Sequence, residues 1–273
     1  FGIQNYYPNQ SGYWKGGEHQ WVVNKLCWPG ELPESYNNLI TIIGDSFIEN
    51  FMNPNECRQS VFLKKRLDDY NFMEASRSGV SFIEAMEISK QLDSLSPKYH
   101  LIYVNTSDFT ESVTSISPSA DITQLDISES KIVYGEMKSP RLKKILYNWK
   151  MLYYFYNRFP LNFSINIAKP NEEVKVEIKE EKEKGFKYVK EIQALVDYTR
   201  QNYSISNKIL VFHPNSDLEV VKACEKAGFK VIVLNSDNDK SWTFDHDFHW
   251  TCYGHGRVAD YVSENLKRSY LVN

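Results

Sequence analysis

The 273-residue sequence lacks the features that mark membrane-spanning and nucleic-acid-binding proteins. No run approaches the roughly 18 consecutive apolar residues that predict a transmembrane helix, so we expect no membrane span in this chain. Lysine and arginine (32) nearly balance aspartate and glutamate (35), and a net charge of −3 gives no reason to expect a nucleic-acid partner. Composition leaves the oligomeric state open.

Cysteine is scarce. The four cysteines are Cys27, Cys57, Cys224 and Cys252, and they form no C-x-x-C pair and no spacing typical of metal ligands. In a chain of this length they need not form a disulfide framework, so the redox compartment stays open. We expect neither a metal nor an organic cofactor.

The sequence does not fix the cellular location of the protein. No signal-peptide pattern is present, and the chain starts at Phe1 rather than at methionine. If a signal or anchor has been removed, a periplasmic or secreted location is favoured.

The most informative stretch of the sequence is residues 39–47, LITIIGDSF. The apolar, β-branched start of this stretch predicts a buried strand. Gly44 allows a tight turn, and Asp45 and Ser46 are both residue types that cap helices well. A strand-to-helix turn here places the Ser46 hydroxyl at the carboxyl edge of a sheet, where open α/β sheets bind ligands. The alternative is that Ser46 merely caps the helix.

A second stretch, residues 247–255, reads DFHWTCYGH. Together with the Gly-Asp-Ser of the first stretch, its Asp-x-His followed by Gly-His resembles the pattern of the SGNH (GDSL) hydrolase superfamily, which includes bacterial esterases and acyltransferases. The resemblance implies Ser46 as nucleophile, His249 as general base and Asp247 as the carboxylate that orients the histidine.

The resemblance also implies an oxyanion hole. Gly79, in the loop after the second predicted strand, takes the place of the family glycine whose backbone N–H acts beside that of Ser46. After the third strand the family has Gly-x-Asn-Asp, whereas this sequence has Asn-Thr-Ser-Asp, so Ser107 replaces the family asparagine. If the chain stays extended there, Asn105 and Ser107 face one side and either can complete the hole. Asn105 is favoured because its amide carries two N–H groups, but it can instead simply cap the turn.

Hydrophobic periodicity predicts alternating strands and helices. The strands are at 39–43, 71–75, 101–104, 208–212 and 229–234, and the helices at 47–52, 60–70, 82–95, 188–203, 218–227 and 256–268. This alternation predicts a parallel sheet with helices on both faces. The family resemblance implies an α/β fold, a flavodoxin-like three-layer α/β/α sandwich with a mainly parallel five-stranded sheet.

We expect residues 1–38 to be an irregular N-terminal lead-in packed on the domain. Within it, residues 21–30 resemble a segment that precedes the first strand in many bacterial SGNH proteins and packs across the sheet. Residues 39–273 are expected to form one SGNH-like catalytic domain with a helical and loop insertion at about 110–170.

That insertion has a loose alternation at 125–134 that predicts a strand or hairpin, followed by a predicted helix at 139–159. The helix suits a lid, a partner surface or a core element. The charge run at 172–187 predicts a solvated helix face or a mobile link.

Other ionisable residues near these stretches are expected to be structural. His213 follows the fourth strand and is predicted to be a strand-end residue rather than a second base. Only the Asp-x-His pair has the family spacing, so three neighbours are expected to shape the loop: Asp245, His246 and His255.

The resemblance therefore implies a serine esterase that removes an O-acyl group, with acetyl expected, from a carbohydrate or small ester through an acyl-serine intermediate. An O-acyltransferase that passes the group to a sugar hydroxyl uses the same intermediate, and the sequence does not choose between them. Because the family asparagine is missing from its usual position, a catalytically weak scaffold or binding protein is a third reading. In each case the expected partner is a small-molecule or carbohydrate ester.

Overall fold

The computed structural model describes residues 2–14, 18–136 and 187–271. The strands are β1 Ser11–Tyr13, β2 Gln20–Val22, β3 Leu39–Gly44, β4 Asn71–Ser76, β5 Tyr99–Val104, β6 Gln124–Asp126, β7 Lys131–Val133, β8 Lys208–Phe212, β9 Lys230–Val233, β10 Thr243–Phe244 and β11 Asp247–Trp250. The helices are α1 Ser46–Glu49, α2 Gln59–Arg66, α3 Phe82–Leu92, α4 Thr106–Glu111, α5 Val189–Asn202, α6 Leu218–Lys226 and α7 Cys252–Ser269. One-turn 3-10 helices occupy 55–57, 93–95 and 240–242.

A five-stranded parallel sheet in the order β4-β3-β5-β8-β9 forms the centre of the fold. β3 lies between β4 and β5, and all six of its residues are buried. Gly44 pairs with Ser76 and Val104 pairs with Phe212, so neighbouring strands end at the same edge. The predicted five-stranded sheet is confirmed, and every pairing within it is parallel.

Helices cover both faces of this sheet. Alternate strand residues such as Ile42, Tyr103 and Val211 pack with α2 and α7 in one apolar cluster. Helices α3, α4, α5 and α6 form a second group of packed helices, with α3 against β3 and β5. Burial on both faces explains why the strands are continuous apolar runs rather than alternating ones. The predicted three-layer α/β/α class is confirmed.

The structure moves the ends of several predicted helices. α2, predicted to reach residue 70, ends at Arg66, and α3, predicted to reach residue 95, ends at Leu92. α1 ends at Glu49 rather than at residue 52, because Asn50 adopts the left-handed conformation, with φ of 49°, that terminates helices. α7 begins at Cys252, four residues before the prediction, because the Thr251 side chain accepts the N–H of Gly254. Gly254 lies so close to the Trp242 carbonyl that a β-carbon would be 2.1 Å from its oxygen. Glycine is a weak helix former, so Gly254 in the first turn explains why the sequence pattern did not predict the start of α7 at Cys252.

The lead-in is not wholly irregular, because β1 and β2 pair as an antiparallel ribbon. It packs on α1 and the loop that follows, and Gln4 also donates to the Asp121 carbonyl. Trp21 stacks on Phe51 with ring centroids 5.0 Å apart, and the Tyr6 hydroxyl donates to Glu49. The division of the chain at residue 39 stays a prediction.

Part of the predicted insertion can be described. β6 and β7 form a hairpin inside the stretch predicted as a strand or hairpin. The predicted helix at 139–159 and residues 172–186 of the charge run lie outside the described residues. Within the described ranges, no helix has the length and apolar character needed to cross a membrane.

A buried ion pair fixes the turn that leads from α1 into α2. Arg58 Nε donates to Glu74 of β4 at 2.6 Å, and both side chains are almost fully buried. Arg58 Nη2 also donates to the Ile48 carbonyl, and Glu74 accepts the backbone N–H of Ser60. Because both charges have partners and additional hydrogen bonds, their burial is tolerated. This turn carries Cys57, which matters for the site described next.

Candidate active site

Ser46 stands at the turn between β3 and α1. The Asp45 side chain accepts the N–H of Phe47 at 3.0 Å and so caps the helix. Ser46 is therefore the first helical residue, and its hydroxyl is not needed as a cap. Instead, Ser46 Oγ lies 2.8 Å from Nε2 of His249. The residue that caps α1 is therefore Asp45, not Ser46.

His249 lies on β11, which pairs with β10 at the same edge of the sheet as Ser46. Asp247 Oδ1 accepts the backbone N–H of His249 at 3.0 Å and lies 2.5 Å from its Nδ1. With its Nδ1–H donated to Asp247, His249 presents a lone pair on Nε2 to the Ser46 hydroxyl. Nucleophile, base and orienting carboxylate thus form a continuous hydrogen-bonded chain, which is the geometry of a serine–histidine–carboxylate triad.

Phe47 packs the histidine in place from the side. Its ring centroid lies 4.8 Å from that of His249, 4.9 Å from Trp250 and 4.4 Å from His213. Phe248 stacks on His249 with centroids 4.7 Å apart. Phe47 and Phe248 also contact each other, with centroids 5.7 Å apart, so the three rings pack as one cluster. This packing limits rotation of the imidazole, so its direction is set by packing as well as by Asp247.

Three ties join the segment after α1 to the segment after β11. Cys57 and Cys252 form a disulfide across 195 residues of sequence. Asn53 Nδ2 donates to the Trp250 carbonyl at 2.9 Å, and Gln59 Nε2 donates to the His255 carbonyl at 2.8 Å.

The sequence did not reveal these ties. No spacing rule identifies two cysteines that meet only after folding, so the disulfide went unpredicted. His255, which was expected to shape the loop, lies with Cys252 in the first turn of α7. His255 is buried against Gln59. Asp245 and His246 do form the exposed turn between β10 and β11, as predicted.

Gly79 lies in the loop between β4 and α3. Its φ of +75° is accessible mainly to glycine, and a β-carbon there would meet nothing within 4 Å. The preceding N–H, of Ser78, donates to the buried Glu49 carboxylate of α1 at 2.8 Å. The loop is thereby held against the helix that starts at Ser46. A role for Gly79 in an oxyanion hole remains a proposal.

The stretch after β5 differs from the prediction. α4 starts at Thr106, so the chain does not stay extended and the argument that Asn105 and Ser107 face one side was wrong. Asn105 caps α4 in a capping box with Asp108, and its Oδ1 accepts the backbone N–H of Ser107 at 2.7 Å. The Ser107 hydroxyl also donates to this Oδ1.

The capping contacts decide which way the Asn105 amide points. Because Oδ1 is held by α4, Nδ2 is directed to the other side, where it lies 3.5 Å from Oδ2 of Asp45. Asn105 therefore caps the helix and also presents its amide N–H groups beside the residue that precedes Ser46. Ser107 commits its hydroxyl to Asn105 instead.

Buried carboxyl groups lie close to the candidate triad. Burial raises the pKa of Asp45 to about 6, against the opposing effects of the Phe47 N–H and of His249. Burial raises the pKa of Asp108 well above its usual value, and the neighbouring Asp45 adds to that effect. Burial also raises the pKa of Glu111. In the described part of the chain, no group of three or more His, Cys, Asp or Glu side chains is arranged to hold a metal ion.

Comparison with known proteins gives similar folds only. No family model and no curated protein matches the sequence. Solved structures that resemble this one include the psychrotrophic esterase EstA from Pseudoalteromonas sp., at 12% identity over 85% of this chain and 97% of that chain, with a TM-score of 0.45. A lipolytic protein of the G-D-S-L family from Desulfitobacterium hafniense matches at 13% identity over 84% and 99%, with a TM-score of 0.39. A family two carbohydrate esterase from Clostridium thermocellum matches at 12% identity over 91% and 66%, with a TM-score of 0.41. At such values the chemistry has to be inferred from the atoms of the site itself.

We predict that the disulfide stabilises the fold and the site together. Replacing Cys57 and Cys252 by serine should lower the free energy of unfolding by about 2–5 kcal/mol. Esterase activity of the folded fraction should also fall, because β11 loses its covalent anchor next to His249. Chemical denaturation and ester hydrolysis measure the two effects.

The control is Cys27→Ser, which changes an unpaired cysteine and should alter stability by no more than about 0.5 kcal/mol. Thiol titration in denaturant should find two thiols before reduction and four after it. Four thiols before reduction would contradict the pairing.

We predict a pH-dependent stability effect at Asp45. A carboxyl whose pKa is raised to about 6 on folding contributes stability that is present below its unfolded pKa near 3.8 and is lost as pH rises through 6. Asp45→Asn keeps an acceptor for the Phe47 N–H but cannot ionise. The variant should therefore gain stability relative to the wild type as pH rises from 4 to 7.

Urea unfolding at four pH values in this range tests the trend. Asp217→Asn, at the N-cap of α6, corrects for exchanging the two residues at a cap. A stability difference for Asp45→Asn that stays constant or shrinks as pH rises would refute the burial of an ionisable Asp45.

Proposed function

We propose that this protein is a serine hydrolase of the SGNH (GDSL) superfamily that cleaves an O-acyl ester through an acyl-serine intermediate. The observation that carries the proposal is the hydrogen-bonded chain in which Ser46 Oγ lies 2.8 Å from His249 Nε2 and His249 Nδ1 meets Asp247. A serine hydroxyl is a weak nucleophile at neutral pH, and an adjacent oriented base is what activates it.

The reaction follows from the positions of these groups. Ser46 Oγ attacks the ester carbonyl carbon while His249 Nε2 takes the hydroxyl proton. Asp247 stabilises the imidazolium that results. When the tetrahedral intermediate collapses, His249 gives the proton to the leaving alcohol, and the acyl group stays on Ser46. A water molecule, deprotonated by His249, then attacks the acyl-serine. The bond between the acyl carbon and Ser46 Oγ breaks, His249 returns the proton to Oγ, and the acid is released.

The negative charge that develops on the carbonyl oxygen needs donors. We assign this role to the backbone N–H groups of Ser46 and Gly79 and to the side-chain amide of Asn105. The direction of Asn105 Nδ2 toward Asp45 supports its inclusion. The commitment of the Ser107 hydroxyl to Asn105 argues against Ser107.

The substrate is proposed to be an acylated carbohydrate or small ester, with acetyl as the expected acyl group. A transferase would pass the same acyl group from Ser46 to a sugar hydroxyl instead of to water. Product analysis with and without an added glycoside acceptor separates hydrolysis from transfer. The Cys57–Cys252 disulfide supports a location in an oxidising compartment such as the periplasm or the extracellular space.

We predict that Ser46→Ala abolishes ester cleavage and covalent labelling by a fluorophosphonate probe. The reason is that the only activated hydroxyl of the proposed mechanism is removed. Hydrolysis of p-nitrophenyl acetate and mass spectrometry of the labelled protein measure the two losses.

Ser204→Ala is the matched control, because Ser204 is an exposed serine in the turn before β8, at the other edge of the sheet. It should retain both activity and labelling. Labelling of Ser46→Ala at another serine would show that the nucleophile has been misassigned.

We predict that Asn105 stabilises the transition state and Ser107 does not. Asn105→Ser keeps an oxygen that can cap α4 but loses the amide donor, so kcat should fall about 100-fold with KM little changed. Ser107→Ala should alter kcat by only a few fold. Steady-state kinetics on the two variants decide the matter, and the reverse ranking would assign the third donor to Ser107.

A further inference from the structure

A cavity of about 540 Å³ opens beside the candidate triad. Its wall is aromatic, formed by Phe47, Trp242, Phe248 and Trp250. Phe47 follows the proposed nucleophile in sequence, and Phe248 and Trp250 flank His249. The volume lies within the roughly 300–1,000 Å³ that small-molecule sites occupy. The cavity is therefore lined by the sequence neighbours of Ser46 and His249 and by Asn105, which places it next to the proposed site of ester cleavage.

His213 is the unusual member of this wall. It is only 6% exposed, and its ring packs against those of Phe47 and Trp250, at 4.4 and 4.6 Å between centroids. Burial lowers its pKa to about 3, so the imidazole is neutral. Its Nε2 has no hydrogen-bond partner among the described residues. A buried polar atom without a partner is costly, and near a cavity it indicates that a ligand group completes the bonding.

The other residues that line the cavity indicate which kind of ligand it suits. Asn215, Asn238 and Lys240 supply amide and ammonium groups at its edge. Phe248 is 71% exposed, so one ring face is open to solvent although the other stacks on His249. Open aromatic faces together with scattered hydrogen-bonding groups suit a ligand with apolar ring faces and hydroxyl edges. A sugar ring has both.

We propose that this cavity binds the sugar ring of the alcohol part of the ester, with His213 hydrogen-bonded to a sugar hydroxyl and Phe248 packed on a ring face. This inference rests on the proposed hydrolase function and names the substrate class for the same site. The alcohol part, rather than the acyl part, is assigned because His249 protonates the leaving alcohol and both of its sequence neighbours line the cavity.

Kinetics with two esters test the role of His213. The specificity ratio is kcat/KM for methyl 6-O-acetyl-β-D-glucopyranoside divided by kcat/KM for ethyl acetate, which carries no sugar. His213→Leu should lower this ratio about 10–100-fold, because a bound hydroxyl loses its buried partner. His213→Gln, which again offers a donor and an acceptor, should recover part of the loss. An unchanged ratio in His213→Leu overturns the proposal.

Phe248→Ala tests the aromatic wall and should raise KM for the acetylated glucoside about 10-fold. Tyr13→Ala is its matched control, because Tyr13 is an equally exposed aromatic residue, at 67%, that does not line the cavity. Equal effects of the two substitutions would contradict the assignment. A parallel comparison of ethyl glycolate with ethyl acetate tests the acyl side. If His213→Leu affects only the hydroxyacyl ester, the cavity holds the acyl part and the proposal fails.

Binding without turnover separates this proposal from the proposed function. Methyl 6-O-acetyl-β-D-glucopyranoside is titrated into Ser46→Ala, and the change in tryptophan fluorescence is the signal, since Trp242 and Trp250 line the cavity. Saturable binding that His213→Leu weakens at least 10-fold supports the cavity assignment even if Ser46 proves not to be the nucleophile. Absence of binding, or binding that the His213 substitution leaves unchanged, overturns it while leaving the hydrolase assignment standing.

Discussion

The candidate site depends on the attachment of β11 to the segment that follows α1. Ser46 and His249 are 203 residues apart in sequence, yet Ser46 Oγ and His249 Nε2 lie 2.8 Å apart. β11 is outside the central sheet, so strand pairing there does not place it. The disulfide Cys57–Cys252 and the bond from Asn53 to the Trp250 carbonyl hold its end instead. Catalytic groups fixed in this way lose little entropy when the reaction begins, which is how preorganised sites gain rate.

Helix capping directs two of the polar side chains at this site. Asp45 takes the N–H of Phe47, which leaves the hydroxyl of Ser46 free for His249. Asn105 uses its Oδ1 to cap α4, which turns its Nδ2 toward Asp45. Both caps lie where a parallel strand ends and a helix begins. The local requirement to satisfy helix N-termini therefore also sets the positions of groups proposed to act in chemistry.

The sequence predicted features that depend on neighbouring residues, and it did not predict contacts between segments that are far apart along the chain. A buried run ending in Gly-Asp-Ser predicts strand, turn and helix, because each residue type has a strong local preference. The capping box that starts α4 was readable as Asn-x-x-Asp, and overlooking it led to the wrong extension of the chain at Asn105. The disulfide and the Gln59–His255 contact had no local signal, because they join segments about 195 residues apart. Packing of the sheet, not spacing along the chain, brings those residues together.

Burial keeps the two histidines near His249 uncharged. His213 and His255 lie near it, but burial lowers the pKa of each to about 3, so both stay neutral where ester hydrolysis is measured. A second imidazolium at that range would oppose the positive charge that the proposed mechanism places on His249. A neutral His213 imposes no such repulsion and still offers a hydrogen bond. The same desolvation that keeps His213 uncharged makes its unpartnered nitrogen costly, which is the physical basis for the proposed hydrogen bond to a substrate hydroxyl.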